Sequence, residues 1–196
     1  AYVSAADVTP EINLQGTILF FFACYGAGTP RYDEYHRQAF KEQGTVIAER
    51  SFVAALPKAL LALHRRGALA IIGHVERAWG LSFLGSVDAR PAAMAERRYE
   101  YVDVYEGAIE RLLKGHPVGS ALEAFNARYA ALSTELTSLY EAVGDPPTIG
   151  DAYRLAELWT ANSDARGYII LGDPAVRLRA AAHAGLGATP ETNGRL

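Results

Sequence analysis

The chain is poor in cysteine: Cys24 is the only one among its 196 residues. A single cysteine cannot form an internal disulfide bond, and it excludes a zinc site built from cysteines alone. A chain without disulfide bonds fits a reducing compartment, although many exported bacterial proteins also lack them. We therefore expect a cytoplasmic protein.

An excess of charge is also missing, because 19 basic residues face 22 acidic ones for a formal net charge of −3. This balance does not indicate binding to nucleic acid or to an anionic membrane. No apolar run approaches the ~20 residues that a membrane helix needs. No basic region followed by an apolar one opens the sequence, so we expect no signal peptide. No set of His, Asp and Glu residues has the spacing of metal ligands, so we expect neither a metal ion nor a cofactor.

The length fits one domain with a sizeable hydrophobic core. We assign residues 1–183 to this domain and residues 184–196, which contain Gly, Thr and Pro, to a disordered tail. The first residue is not methionine, and residues 1–15 have the pattern of a linker that enters a strand. We therefore expect the chain to be a piece of a larger protein.

A fully apolar stretch leads to the cysteine, with a strand predicted at residues 17–23. A strand without polar alternation must be covered on both faces, which is typical of a central strand in a parallel sheet. Two glycines, Gly26 and Gly28, then turn the chain. Active sites of such sheets lie just beyond the carboxyl ends of the strands, and Cys24 occupies such a position.

A second apolar strand is predicted at residues 68–73, after an intervening helix. Strand, helix and strand form a right-handed βαβ unit, so the two strands are parallel neighbours with a common carboxyl edge. His74, Glu76 and Trp79 follow the second strand. We therefore expect these three residues close to Cys24.

The period of the apolar residues then becomes helical. Two helices are predicted within residues 92–143, separated by a break at Gly115 and Pro117. We expect this helical pair to pack on a neighbouring element; the alternative is a protruding hairpin that contacts a partner or a second copy. A helix at residues 151–162 and a strand at residues 167–171 complete the pattern.

Cys24 has two competing interpretations from its surroundings alone. A lone cysteine after an apolar strand is often a small core hydrophobe. A position at the strand end, before a glycine turn, favours an exposed nucleophile instead. In that case the peptide N–H groups of Tyr25 and Gly26 would form a pocket for an oxyanion.

A cysteine nucleophile needs a base that holds it as the thiolate. His64, His116 and His183 lie in a last helical turn, in a helix break and in the tail, so we expect all three at the surface. His36 lies in a polar loop, and His74 follows the strand beside the cysteine strand. Neither of these two is favoured over the other as the base.

Several segments, taken in order, resemble the carboxyl-terminal half of the caspase-like cysteine peptidases of clan CD, in the CHAT and gingipain-like group. The similarity covers roughly residues 16–90 and 150–180, and the order and spacing of the segments are more specific than any one of them. The matching segments are Phe21-Phe22-Ala23-Cys24-Tyr25-Gly26-Ala27-Gly28, Ser51-Phe52, Gly67 to Gly73 with Trp79 beyond it, and Tyr168 to Leu178 with its Gly-Asp-Pro.

The resemblance implies a three-layer α/β sandwich with a mostly parallel sheet and a helical pair inserted at about 92–143. It also implies hydrolysis of peptide bonds through a thioacyl intermediate on Cys24. The family's base is a histidine in a His-Gly pair that ends the strand before the cysteine strand, and no such pair occurs in residues 1–23. Either that strand precedes residue 1, or the chain is a degenerate relative.

In this family the segment after the next strand helps to line the pocket for the P1 side chain of the substrate. Here that segment offers Glu76, Trp79 and Ser82. A carboxylate against an aromatic wall would suit arginine or lysine at P1, by charge pairing and stacking. The alternative is that Glu76 pairs with a nearby arginine and that Trp79 fills the core.

The leading hypothesis is therefore a caspase-like cysteine endopeptidase that acts on a protein or peptide substrate. A second hypothesis is a non-catalytic caspase-like scaffold that binds a partner through the helices at 92–143. A third and weaker one is a cysteine acyltransferase or hydrolase on a flavodoxin-like sheet.

Overall fold

The computed structural model of the protein describes residues 3–33, 35, 45–80 and 102–179. This part of the chain is a mixed α/β structure with a small mixed sheet and four helices. The predicted tail at 184–196 lies outside it. The elements in chain order are a 3₁₀ turn at Ala5–Asp7, strands β1 (Ile18–Phe21), β2 (Gly28–Thr29) and β3 (Phe52–Val53), helix α1 (Ala55–Ala62), strand β4 (Ala70–His74), helices α2 (Val102–Leu113), α3 (Val118–Ala142) and α4 (Ile149–Ala165), and strand β5 (Tyr168–Gly172).

The main sheet has the strand order β1-β4-β5. Strands β1 and β4 are parallel, with Ile18 opposite Ala70, which confirms the predicted parallel pair. Strands β4 and β5 are antiparallel, with Ala70 opposite Gly172. The predicted mostly parallel sheet is therefore wrong for the three described strands, because the direction of β5 makes this sheet mixed.

The predicted central position of the cysteine strand also needs correction. Among the described strands β1 lies at the edge of the sheet and β4 lies in the centre. All five residues of β4 are buried, whereas all four of β1 are half-buried. The apolar run of β1 follows from helices on both faces of the sheet and does not require a strand on each side.

Side chains from the two faces of the sheet enter two separate hydrophobic clusters, as the alternation of a pleated strand requires. Phe20 and Ile72 belong to the cluster that includes Phe125 of α3. Phe21 and Ile71 belong to the cluster that includes Leu60 of α1. Helices therefore cover both faces of the sheet.

The two helices predicted within 92–143 are present as α2 and α3, and residues 92–101 lie outside the described part. Helix α3 contributes residues to two clusters along its length. Near its start Phe125 packs on the sheet, and farther along Leu132 packs with Leu158 and Ala161 of α4. The helical pair is thus built into the core, as its apolar stripe predicts, and does not stand apart as a protruding hairpin.

No helix in the described ranges is long and apolar enough to cross a membrane.

Candidate functional site around Cys24

Cys24 lies beyond the carboxyl end of β1, three positions after Phe21, the last residue of the strand. Its side chain is exposed and forms no disulfide bond. The Sγ atom lies 3.7 Å from the carbonyl oxygen of Ala78, to which the thiol can donate. This exposure rules out the interpretation of Cys24 as a buried core hydrophobe.

A tight turn carries the cysteine, and its peptide groups are held by the segment that follows β4. Tyr25 adopts a left-handed backbone conformation, with φ at 56°. Its N–H donates to the carbonyl of Glu76 at 2.8 Å, and the N–H of Ala27 donates to the carbonyl of His74 at 3.0 Å. These contacts confirm the prediction for the main chain of His74 and Glu76, which lies beside the cysteine turn.

The predicted oxyanion pocket is not open in this arrangement. The N–H of Tyr25 is occupied by the carbonyl of Glu76, and the N–H of Gly26 donates to the carbonyl of Ala23 at 3.1 Å. An oxyanion pocket needs donors that point at the place where the negative charge develops. These two N–H groups stabilise the turn instead, and they would have to exchange partners to bind an oxyanion.

His74, one of the two candidate bases, is completely buried. Its Nδ1 accepts a hydrogen bond from the N–H of Glu76 at 3.0 Å. The proton must then reside on Nε2, which donates to the carbonyl oxygen of Asp164 at 2.9 Å. Both ring nitrogens are therefore engaged by the backbone, and neither is available to take a proton from Cys24.

The ring of His74 occupies a space that only a glycine at position 167 leaves open. A Cβ atom at Gly167, the residue before β5, would overlap the imidazole. The ring also makes an edge-to-face contact with Tyr168, with 4.8 Å between the ring centroids. This packing makes His74 a structural residue of the central strand.

The other described histidines lie at the opposite edge of the sheet. His64 follows α1 and precedes the start of β4, and it is exposed. His116 is also exposed, and it precedes α3, where the N–H of Gly119 donates to Pro174 just beyond the end of β5. Within residues 3–33, 35, 45–80 and 102–179, no histidine is placed to act as the base; His36 and His183 lie outside these ranges.

The predicted pocket residues differ in exposure. Trp79 is 40% exposed, so its ring can meet a ligand and does not simply fill the core. Glu76 is only 5% exposed, which separates its carboxylate from solvent. Ser82 lies outside the described residues.

Two charged residues that the sequence analysis did not select lie at the same edge. The guanidinium of Arg77 donates two hydrogen bonds to the carboxylate of Asp33, at 2.7 and 2.6 Å. These bonds raise the pKa of Arg77 above its ordinary value. The ion pair links the segment after β2 to the segment after β4. Its two parallel hydrogen bonds have the bidentate geometry that is typical of arginine–carboxylate pairs.

The ring of Tyr35 packs against Trp79. The Tyr35 ring lies 5.8 Å from Trp79 and 5.0 Å from Trp159 of α4, centroid to centroid. Its hydroxyl donates to the carbonyl of Arg77 at 3.4 Å. Burial is the main cause that raises the pKa of Tyr35, and it also raises that of Tyr25. Both phenols therefore stay neutral at physiological pH.

Asp164, in the last turn of α4, is a third charged residue that the sequence analysis did not select. Its Oδ1 accepts the N–H of Trp79 at 2.9 Å, and its Oδ2 lies 3.8 Å from Arg128 of α3. Both residues occupy buried stripes of their helices. A charge inside an apolar stripe is a signal in the sequence that could have identified them.

Among the described residues, no group of three or more His, Cys, Asp or Glu side chains could hold a metal ion. Comparison of the chain with protein-family models, with curated proteins and with solved structures finds no match. The candidate site is therefore defined by its own geometry: an exposed thiol, a turn held by the segment after β4, and a half-exposed tryptophan on that segment.

Proposed function

We propose that the chain is part of a cysteine endopeptidase of the caspase-like type, with Cys24 as the nucleophile. The observation that carries this proposal is the exposed thiol at the carboxyl end of β1, beside the segment that follows the parallel neighbour β4. Helices on both faces of the sheet are compatible with a three-layer sandwich. The resemblance of the ordered segments to that family supplies the reaction.

In this reaction the Cys24 thiolate attacks the carbonyl carbon of the peptide bond, and the amine leaves with a proton from the base. Water then attacks the thioacyl group, which releases the carboxylic acid and restores the thiol. The base would be a histidine on a strand that precedes β1. Strand β1 has no neighbour on its outer side among the described strands, which leaves room for such a strand.

A basic P1 side chain is the substrate preference that this site suits best. The ring of Trp79 is accessible for stacking with arginine. Glu76 lies on the same segment, and its carboxyl group is the one that would pair with a basic P1 side chain. We therefore propose cleavage after arginine or lysine.

The proposal is tested by covalent labelling of the full-length protein with a peptidyl acyloxymethyl ketone that carries arginine at P1. We expect one adduct, located on Cys24 by mass spectrometry, and none in the Cys24→Ala variant. A matched probe with aspartate at P1 should label much more slowly. The proposal fails if iodoacetamide alkylates Cys24 of the folded protein but no peptidyl probe of any P1 type does.

A second candidate is a non-catalytic caspase-like scaffold, and it is favoured by the lack, among the described residues, of a histidine placed to act as the base. The partner would bind the helical pair at 92–143, on whose described part Leu113 and Tyr140 are 68% and 58% exposed. Iodoacetamide labelling without peptidyl labelling is the result that this scaffold predicts.

A further inference from the structure

Asp164 is a carboxylate in the hydrophobic core. It has no exposed surface, and its neighbours in the buried stripe of α4 are Leu158, Ala161 and Ala165. Burial of a charged group is strongly unfavourable unless partners satisfy it. The role of this residue therefore has to be found in what its atoms bind.

Two atoms of Asp164 bind the segment of residues 74–79, which begins at the last residue of β4. The side-chain Oδ1 accepts the N–H of Trp79 at 2.9 Å. The main-chain oxygen accepts Nε2–H of His74 at 2.9 Å, and the same imidazole accepts the N–H of Glu76. One residue of α4 thus fixes residues 74–79 at both ends.

The negative charge has a counter-charge in the neighbouring helix. The guanidinium of Arg128, itself 5% exposed, lies 3.8 Å from Oδ2 of Asp164. Since Arg128 belongs to α3, the pair joins α3 and α4 behind the segment. Removal of one partner of such a buried pair leaves the other charge uncompensated, so the pair holds α3 and α4 in a defined arrangement.

The segment fixed in this way is the one that faces the nucleophile. Its residues Glu76 and Ala78 present the carbonyl oxygens that meet the N–H of Tyr25 and the thiol of Cys24. We infer that Asp164 is a positioning residue for the Cys24 site, because it holds the backbone of Trp79 and so sets where the 74–79 segment lies beside the thiol.

The consequence for substrate choice rests on the proposed function. Because Trp79 is the accessible wall of the candidate P1 pocket, loss of its anchor changes which side chains the pocket accepts. The position of the segment itself does not depend on any reaction. It is therefore measured separately, through the exchange of the Trp79 amide hydrogen.

The test compares Asp164→Asn with Asp164→Leu. Both variants remove the charge that faces Arg128, and the two new side chains are similar in size. They differ in the acceptor, because asparagine can still receive the Trp79 N–H through its Oδ1 atom and leucine cannot. Differences between the two therefore report the hydrogen bond and not the lost ion pair.

Hydrogen exchange followed by NMR gives the first measurement. We expect the Trp79 amide to exchange about tenfold faster in Asp164→Leu than in Asp164→Asn, the size of effect that one lost hydrogen bond produces. The amides of Ile71 and Ile72 in β4 serve as the internal reference for global destabilisation. Equal exchange of Trp79 in the two variants, or a change that β4 shares in full, would contradict the inference.

The second measurement is the ratio of two labelling rates at Cys24, one for the P1-arginine ketone and one for iodoacetamide. A change in positioning lowers this ratio in Asp164→Leu and preserves it in Asp164→Asn, whereas simple unfolding does not separate the variants in this way. If the ketone labels no form while Trp79 exchange behaves as expected, the proposed function fails and the positioning role stands. If Asp164→Leu does not fold, exchange of the Trp79 amide hydrogen is measured in the wild-type protein instead. Protection of this amide is expected, and exchange at the rate of a free peptide contradicts the inference.

Discussion

Strands β1 and β4 are parallel neighbours of similar apolar character, and each leads to a side chain capable of chemistry at the same edge of the sheet. Beyond β1 the Cys24 thiol is exposed. At the end of β4 the His74 imidazole is completely buried, with both nitrogens bound to backbone groups. The two residues thus share an edge of the sheet but have different environments.

The difference follows from the position of each strand in the sheet and from the distance between strand and side chain. Strand β4 is central, and His74 is its last paired residue, opposite Tyr168 of β5. Strand β1 is at the described edge, and Cys24 is three positions past its end. Cys24 is exposed because the chain has already left the sheet at that position, whereas His74 is still paired within the sheet.

The largest effect that tests this contrast is expected for His74→Ala. The substitution leaves a cavity and removes the partners of the Glu76 N–H and of the Asp164 carbonyl, so we expect a loss of about 4 kcal/mol in the free energy of unfolding. Cys24→Ala removes an exposed atom and should change that free energy by less than ~0.5 kcal/mol. Urea denaturation of both variants gives the comparison.

A similar loss of stability in the two variants would show that the structural contrast is wrong. The contrast would also be contradicted if His74→Ala reduced the labelling of Cys24 and left the free energy of unfolding unchanged. His74 would then act as a base and not as a structural residue.

The next effect concerns Gly167, whose missing side chain leaves room for the His74 ring. We expect Gly167→Ala to lose about 2 kcal/mol, because its Cβ forces the imidazole or the backbone to move. In the His74→Ala background this cost should nearly disappear, since the ring is absent. A double-mutant cycle measures the coupling, and additive losses would mean that the two residues do not share this space.

The sequence was sufficient for the parallel pair β1 and β4 and for the placement of the segment after β4 beside Cys24. Both follow from local rules: the handedness of βαβ units and the common carboxyl edge of parallel strands. The paired helices were predictable for the same kind of reason, because apolar residues recur along α3 at the helical period.

The apolar run of β1 did not predict its place at the edge of the three described strands, because such a run reports burial on two faces and contains no information about strand neighbours. The direction of β5 and the burial of His74 depend on contacts across 90 or more residues, as with its bond to Asp164. The engagement of the Tyr25 N–H depends on one carbonyl of Glu76. Such pairings arise from the assembled fold and have no local pattern.

The smallest effect concerns the ion pair at this edge between Asp33, which is buried, and Arg77, which is partly exposed. Asparagine at position 33 keeps one acceptor oxygen but removes the charge, so Asp33→Asn should lose about 1 kcal/mol in the free energy of unfolding. The Arg77 side chain is 35% exposed and can be solvated by water, which limits the cost. His74 is completely buried, so water cannot replace the hydrogen bonds that are lost when its side chain is removed.

The matched control is Glu110→Gln, which breaks the ion pair with Lys114 on α2. Both of those side chains are more than 60% exposed, and pairs of this kind contribute little because water screens them. We expect no measurable change in urea denaturation for this variant. If Asp33→Asn is equally silent, the contact with Arg77 does not stabilise the Cys24 edge, and the exposed end of β1 depends on backbone hydrogen bonds alone.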